Sequence, residues 1–518
     1  MAPDQEPEVD MYSRFLQACR ESHEYPYTLL RTPLGPLPGS LLKRYHSSLA
    51  QNSSDLCNES RTRIQFWDQW PGDQTCHRTE VNSQADLSEH VERKGEDPRC
   101  RHLFIESRHS RAPLDCSVAA LKLILTFHQV DPFFLDHVFA FGRQQEPLDA
   151  CWTHFKDHNT LDRHDNHPSL APLGRSGREV RHSFLLRLVE RTQPGGDSLW
   201  HWPIRQVAAY HSFDLSNGRS IWITVKGNGV MRERIMQDTM DLPVFRRSMT
   251  DESIVACFNA SLATHLIYFQ WCGENWRWFI RDIEEEIREK CTLLRTAAID
   301  REPYFARLPR RTDSASSFVD IEAPPDRTDD GSIDAEKSMP DDAFVLGFFS
   351  YKDLQTLHSM GRTLEEARLV VELNHSTLKK VCRYYQHIVQ SHSDAGDIPE
   401  DAKQGFRDSI SRFIPKVESI MEDLEINLAQ LTSLLRKLDA DKTLLECILQ
   451  FRSSQGSRVF EELAHENSIA MQVTSEATKL ATHSTHVISF IAFCLDIIHK
   501  AYQNRILQCR ASSTTQLA

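Results

Sequence analysis

Two apolar stripes at heptad spacing confine this chain to a fold that includes long, paired helices. From Leu357 the residues Met360, Leu364, Ala367, Val371, Asn374, Leu378, Val381, Tyr385 and Ile388 follow one another in steps of three and four. A second stripe runs through Ile414, Val417, Met421, Leu424, Leu428, Leu431, Leu435 and Leu438. Such steps keep side chains on one helix face, and a seam held for more than three heptads asks for a partner helix rather than a globular core. Between the stripes, Ser391–Gln404 contains Pro399 and breaks the pattern; a connection that short lets the helices fold back as an antiparallel hairpin. Helices of this kind transmit or assemble. Asn374 sits in the first seam, where an asparagine either fixes register and oligomer state or is tolerated in a solvent-touching layer.

Upstream, the pattern is mixed. Residues 1–100 read as an irregular N-terminal region, with a proline-rich stretch from Pro33 and an Arg61–Trp70 segment that fits a strand or a short helix. Leu103-Phe104-Ile105 reads as a short buried strand, and Val118–Phe127 is apolar at helical spacing. Asp131 and Pro132 start a second helix that carries Phe133, Leu135, Val138, Phe139 and Phe141 and ends at Gly142. At His182, Phe184, Leu186 and Leu188 the period becomes two, as in a half-buried strand. Val207–Phe213 and Ile221–Val225 flank Asn217-Gly218, a hairpin signal because both turn residues tolerate positive φ. Beyond the Gly227-Asn228-Gly229 turn come a helix capped by Thr250 or Asp251 and running through Tyr268, and another from Trp276 to Leu294. Residues 101–296 therefore read as an α+β domain, an antiparallel sheet covered by helices. Residues 297–343 read as a disordered acidic linker, 344–500 as the helical hairpin and stalk, begun by a capping box of Ser350 and Asp353, and 501–518 as a flexible tail.

Composition narrows the function. A formal charge of −13 disfavours nucleic acid, whose binding needs a basic face; cations or basic partners suit it better. Thirteen cysteines without a CxxC pair point to free thiols in a reducing compartment, and the acidic start carries no secretory leader. No run reaches the roughly 18–20 apolar residues of a membrane span. The nearest, His486–Ile498, holds Asp496 and reads as a buried or interfacial helix. Motifs for nucleophilic catalysis or phosphate binding are missing, so the chain reads as a non-enzyme. Cys151, His154, His158, His164 and His167 form a metal-like run in which His154 and His158 would share a helix face, yet the spacing fits no zinc pattern and a solvated loop is the plainer reading. The acidic run from Asp282 could offer carboxylates to Mg²⁺, but it reads better as a solvated helix face. No catalytic, cofactor or metal residue is assigned.

Three stretches resemble a known family. Leu125–Gly142 (LTFHQVDPFFLDHVFAFG) and Ile204–Asn228 (IRQVAAYHSFDLSNGRSIWITVKGN) resemble the soluble part of fungal CorA-like transporter-domain proteins. Glu476–Phe493 (EATKLATHSTHVISFIAF) is similar to the end of that family's stalk helix, where it enters the first membrane helix. The resemblance spans roughly residues 100–493 and implies a cytosolic domain, a helical hairpin and a long stalk helix, followed by two membrane helices. In the founding members these build pentameric magnesium channels with a Gly-Met-Asn loop. The chain has neither that tripeptide nor a second apolar segment, so the expectation is a truncated transporter or a soluble relative unable to form a pore by itself.

The functional expectation is thus a CorA-like domain of divalent-cation (Mg²⁺) transport ancestry. It needs no cofactor beyond Mg²⁺ itself, can form a homo-oligomer through the stalk, and touches a membrane only at the C-terminal segment. It would be cytoplasmic, or membrane-associated if transmembrane helices follow. The alternatives are a soluble coiled-coil scaffold without transport activity and, more remotely, a hydrolase built on the His154–His167 run.

Overall fold

The computed structural model describes residues 11–30, 39–92, 95–144, 152–159, 169–191, 202–251, 253–296, 349–392 and 399–514. The expected linker (297–343), the Pro33 stretch, and Cys151, His164 and His167 lie outside them. The helices are α1 (Met11–Arg20), α2 (Gly39–Leu56), α3 (Gln84–Glu92), α4 (Val118–Phe127), α5 (Phe134–Val138), α6 (Val230–Asp241), α7 (Pro243–Thr250), α8 (Ile254–Gly273), α9 (Trp276–Thr296), α10 (Tyr351–His392) and α11 (Glu400–Thr514). The strands are β1 (Ile64–Gln69), β2 (His77–Val81), β3 (Cys100–Glu106), β4 (His154–Asp157), β5 (Glu179–Val189), β6 (Ile204–Asp214) and β7 (Ser220–Lys226).

All seven strands form one sheet in the order β2-β1-β3-β7-β6-β5-β4. The fold class is the mixed α+β arrangement the sequence implies, with two corrections. The sheet is not wholly antiparallel, because β3 pairs with β7 in parallel register, Leu103 opposite Ile223. A parallel pair needs a long crossover, and residues 107–219 supply it. Nor is the stretch before residue 100 irregular: α2, α3, β1 and β2 lie there, and β1 pairs with β3 along its whole length. The polar appearance of β1 comes from Gln65, Asp68 and Gln69, which share with Ile64, Phe66 and Trp67 a strand buried throughout.

Both sheet faces are covered. One carries Ile64, Phe66, Leu103, Ile105, Leu185, Tyr210, Ile223 and Val225 into a core with Tyr45 and Leu49 of α2 and Leu121, Ile124 and Leu125 of α4. The other faces α8, where the Thr224 and Tyr268 hydroxyls are 2.6 Å apart. Burial on both faces is why β5 is covered almost end to end rather than half-exposed. Within the first core, Arg101 forks both oxygens of Asp68 at 2.8 Å.

Local chemistry sets the element ends. Ser117 caps α4 by accepting from Ala120 N, and Ser253 caps α8 by accepting from Ala256 N. Ser253 replaces the expected cap at Thr250 or Asp251, because α7, opened by Pro243, occupies that stretch. The helix expected from Asp131 to Gly142 shortens to α5; Asp131 accepts from Phe133 N, and the chain turns at Gly142 with φ +103°. Gly218 turns the β6–β7 hairpin at φ +75°. The expected capping box closes on Ser350: its N–H and hydroxyl reach Asp353 Oδ2, both at 2.8 Å.

The chain divides into two compact units, Met1–Thr292 with Thr356–Ala440, and Leu293–Gln355 with Asp441–Ala518. In the first, α10 and α11 run antiparallel: Tyr385 meets Phe413 at 5.5 Å between ring centroids, and His375 meets Glu425 at 2.9 Å. The seam residues Met360, Leu364, Val371, Leu378 and Val381 are buried, as are Val417, Leu424, Leu431 and Leu438. In the second, Arg295 forks Asp441, and Arg452 donates to the Phe349 carbonyl. The expected flexible tail is helical as far as Thr514.

Candidate metal centre of three buried histidines

The site is built on one row across the sheet. Register places Trp67, His102, Trp222, His211 and His182 side by side on β1, β3, β7, β6 and β5. Cross-strand partners share a face; this row faces α8, and their rings form a continuous ladder. His102 stacks on Trp222 with centroids 6.2 Å apart, Trp222 lies 4.1 Å from His211, and His211 lies 5.1 Å from His182. From α8, His265 enters the end of the row at 4.9 Å from both His182 and His211.

The ligand-capable atoms of His182, His211 and His265 lie within 4.8 Å of one another, and all three residues are buried. His265 Nδ1 donates to the Ser261 carbonyl at 2.8 Å, so its Nε2 carries the lone pair. That Nε2 faces His182 Nε2 at 2.6 Å and the Tyr385 hydroxyl at 3.3 Å. Both nitrogens of His211 and Nδ1 of His182 have no hydrogen-bond partner. Phe155, Phe184, Tyr384 and Phe413 wall the cluster from solvent.

Burial holds these imidazoles neutral. His265 is pushed down to about 3, chiefly by desolvation. His182 and His211 lie well below the usual histidine value for the same reason, reinforced by the neighbouring imidazoles. Neutral imidazole is the form that ligates borderline metals such as zinc, while hard cations such as magnesium take oxygen. The arrangement can therefore hold a soft or borderline cation, and as a magnesium site it lacks the donors.

The metal-like run singled out in the sequence does not assemble among the described residues. His154 opens strand β4 and His158 follows its last residue instead of sharing a helix turn, so four extended steps separate them by about 13 Å. Their rings go to different neighbours, His154 to His137 and His158 to Phe133. In the acidic run of α9, Asp282 accepts from Trp202 and pairs with Arg281, Glu284 meets Lys437, and Glu285 meets Arg288. These carboxylates face cationic or donor side chains rather than converging on one point. The triad left little trace in the sequence: His211 and His265 sit in largely apolar runs, His182 lies between Arg181 and Ser183, and only pairing register and the docking of α8 bring the three together.

The apolar segment near the C-terminus belongs to α11. Although no membrane-spanning length was expected, α11 contains an 18-residue window with mean hydropathy 1.4, none of it buried. The window tolerates Asp496 because its mean, not an unbroken apolar run, sets the hydropathy. Val487, Ile488, Phe490, Ile491 and Phe493 are all exposed.

A family model described as CorA-like transporters matches residues 17–294. Among curated proteins, none matches the chain. Among solved structures, the crystal structure of the ZntB cytoplasmic domain from Vibrio parahaemolyticus is similar at 9% identity and a TM-score of 0.27, covering 74% of this chain and 98% of that one. At that score the likeness bears no structural inference.

Proposed function

The chain belongs to the CorA-like transporters, and from that premise we propose that it serves divalent-cation transport, with magnesium as its cargo and α11 as the helix that carries the domain to the membrane. The family speaks for a transporter component rather than an enzyme. The observation that carries the membrane reading is the exposed apolar stretch of α11, where Ile488, Phe490 and Phe493 stand in water if nothing covers them. A soluble fold buries such a stretch or pays for it in aggregation. On this reading the α+β domain is cytosolic, the exposed part of α11 is the stalk, and second copies of the chain pack along it. The net charge of −13 favours the approach of cations over anions.

The test is cation entry into liposomes reconstituted with the full chain and loaded with an indicator. The chain alone should admit no Mg²⁺, because one apolar stretch among the described residues does not enclose a pore. Entry of Mg²⁺ that scales with protein content would overturn that expectation, and entry of Zn²⁺ or Ni²⁺ alone would overturn the magnesium assignment.

A further inference from the structure

We propose that His182, His211 and His265 hold one resident cation of the zinc class, distinct from any transported cargo, which pins α8 to β5 and β6 in the core of the first unit.

Four observations support this. First, the three ligands come from three elements, and β5–β6 register sets two of them directly opposite each other. Second, their ligand-capable atoms lie within 4.8 Å of one another, the closest measured pair at 2.6 Å. A tetrahedral zinc with bonds of 2.0–2.1 Å needs its nitrogens about 3.3 Å apart, a value this range brackets. Third, buried polar atoms without partners are rare and costly, yet both nitrogens of His211 and one of His182 are in that state. A cation in the cluster would satisfy one nitrogen of His211. Fourth, the Ser261 carbonyl orients His265 in the way that outer partners of metal-bound histidines do, directing the Nε2 lone pair into the cluster.

The donor set also fixes the chemical class. The group holds no carboxylate, so it discriminates against magnesium and calcium and in favour of zinc, cobalt or nickel. The Tyr385 hydroxyl, 3.3 Å from His265 Nε2, is the oxygen that faces the remaining ligand position. Because Tyr385 belongs to α10, an occupied site would tie the helical hairpin to the sheet as well as to α8. This assignment does not depend on the transport reading, and its test does not measure transport.

The experiment uses the full chain in detergent, stripped with chelator and then offered Zn²⁺ or Co²⁺ against a large excess of Mg²⁺. The expected result is one zinc retained per chain, a raised Tm, and with Co²⁺ the intense visible absorption of a tetrahedral site. His211→Gln and His265→Gln should each weaken retention at least tenfold, while His154→Gln should leave it unchanged. Equal retention by wild type and His211→Gln would overturn the assignment, as would no retention by wild type. If the substituted chains fail to fold, X-ray absorption of the zinc-loaded wild type decides. Back-scattering from three imidazoles supports the site, whereas a shell of sulfur or of carboxylate oxygen places the metal elsewhere and overturns it.

Discussion

Asn374 shows how one side chain can answer a question that spacing leaves open. It occupies a seam position on α10 yet is fully buried, and its carboxamide pairs with Arg187 of β5 on both sides: Nδ2 donates to the Arg187 carbonyl at 2.5 Å and Oδ1 accepts from Arg187 N at 3.2 Å. Strand β4 pairs with β5 only from His182 to Leu185, so the amide closes the β5 edge just past the point where β4 stops. Its role is to fix the helix against the sheet, not to set a register between helices. Replacing Asn374 with Leu removes both bonds in a buried place, and at roughly 1–3 kcal/mol for each abandoned group the loss should be about 3 kcal/mol in urea unfolding. A loss below about 1 kcal/mol would show that the pairing carries no stability. His102 supports a second prediction at this scale. Burial lowers it to about 3, against an ordinary value near 6.5. Between those values the unfolded chain binds a proton that the native chain refuses. The contribution is therefore intact above pH 6.5 and declines as pH falls, by about 2 kcal/mol at pH 5. His128 and His137, also lowered chiefly by burial, act in the same direction. Urea midpoints should drop between pH 7.5 and pH 5, and His102→Phe should flatten that drop; a flat wild-type profile sinks the argument.

Among the elements, those whose local chemistry and burial agree were legible and the others were not. Val118–Phe127 reads as a helix and is one because its apolar face and the Ser117 cap coincide. The β6–β7 hairpin follows from Asn217-Gly218 because positive φ at that turn is a local demand. By contrast, β1 was ambiguous because Gln65 and Asp68 are buried through partners distant in sequence, Glu80 and Arg101. The parallel β3–β7 pairing leaves no local signal. The histidine site was missed for a related reason: His182, His211 and His265 are unremarkable in their own segments and meet only through register and the packing of α8. At the end of the α5 segment, Gly142 gives an element-scale test. Its φ is +103°, and a Cβ there would sit 2.7 Å from the Asp55 carbonyl oxygen and 2.9 Å from Leu56 Cα, both backbone atoms of α2. Neither neighbour can rotate away, so the chain must shift α2 or strain the turn. Gly142→Ala should cost at least about 2 kcal/mol of unfolding free energy, while Gly72→Ala, also at positive φ but with open space around it, should cost less. Equal costs would show that the contact with α2 does not matter.

At the scale of the whole molecule the two kinds of surface on α11 ask for different surroundings. As far as Leu449 its seam residues are buried, or half-buried at Met421 and Leu428, as in a soluble hairpin; from Phe451 onward large apolar side chains stand exposed. A hydrophobic effect of about 25 cal/mol per Å² makes such exposure costly for an isolated helix, so the second stretch fits lipid or another copy of itself. Its polar residues sit where a bilayer tolerates them. Asp496 meets Lys500 one turn on at 2.7 Å, so the carboxylate is paired and the lysine reaches toward the interface if Phe490 and Ile491 are at the centre of the hydrocarbon. The full chain should therefore float with liposomes. Phe490→Asp combined with Ile491→Asp places two carboxylates in the deepest part of the stretch, each opposing insertion by about 2.5–3.5 kcal/mol. Together they should abolish flotation while leaving the urea unfolding of the α+β domain unchanged, because neither residue contributes to its core. Flotation that survives both substitutions would assign membrane contact to another surface. Flotation lost together with domain stability would mean that the stretch is folded against protein in solution.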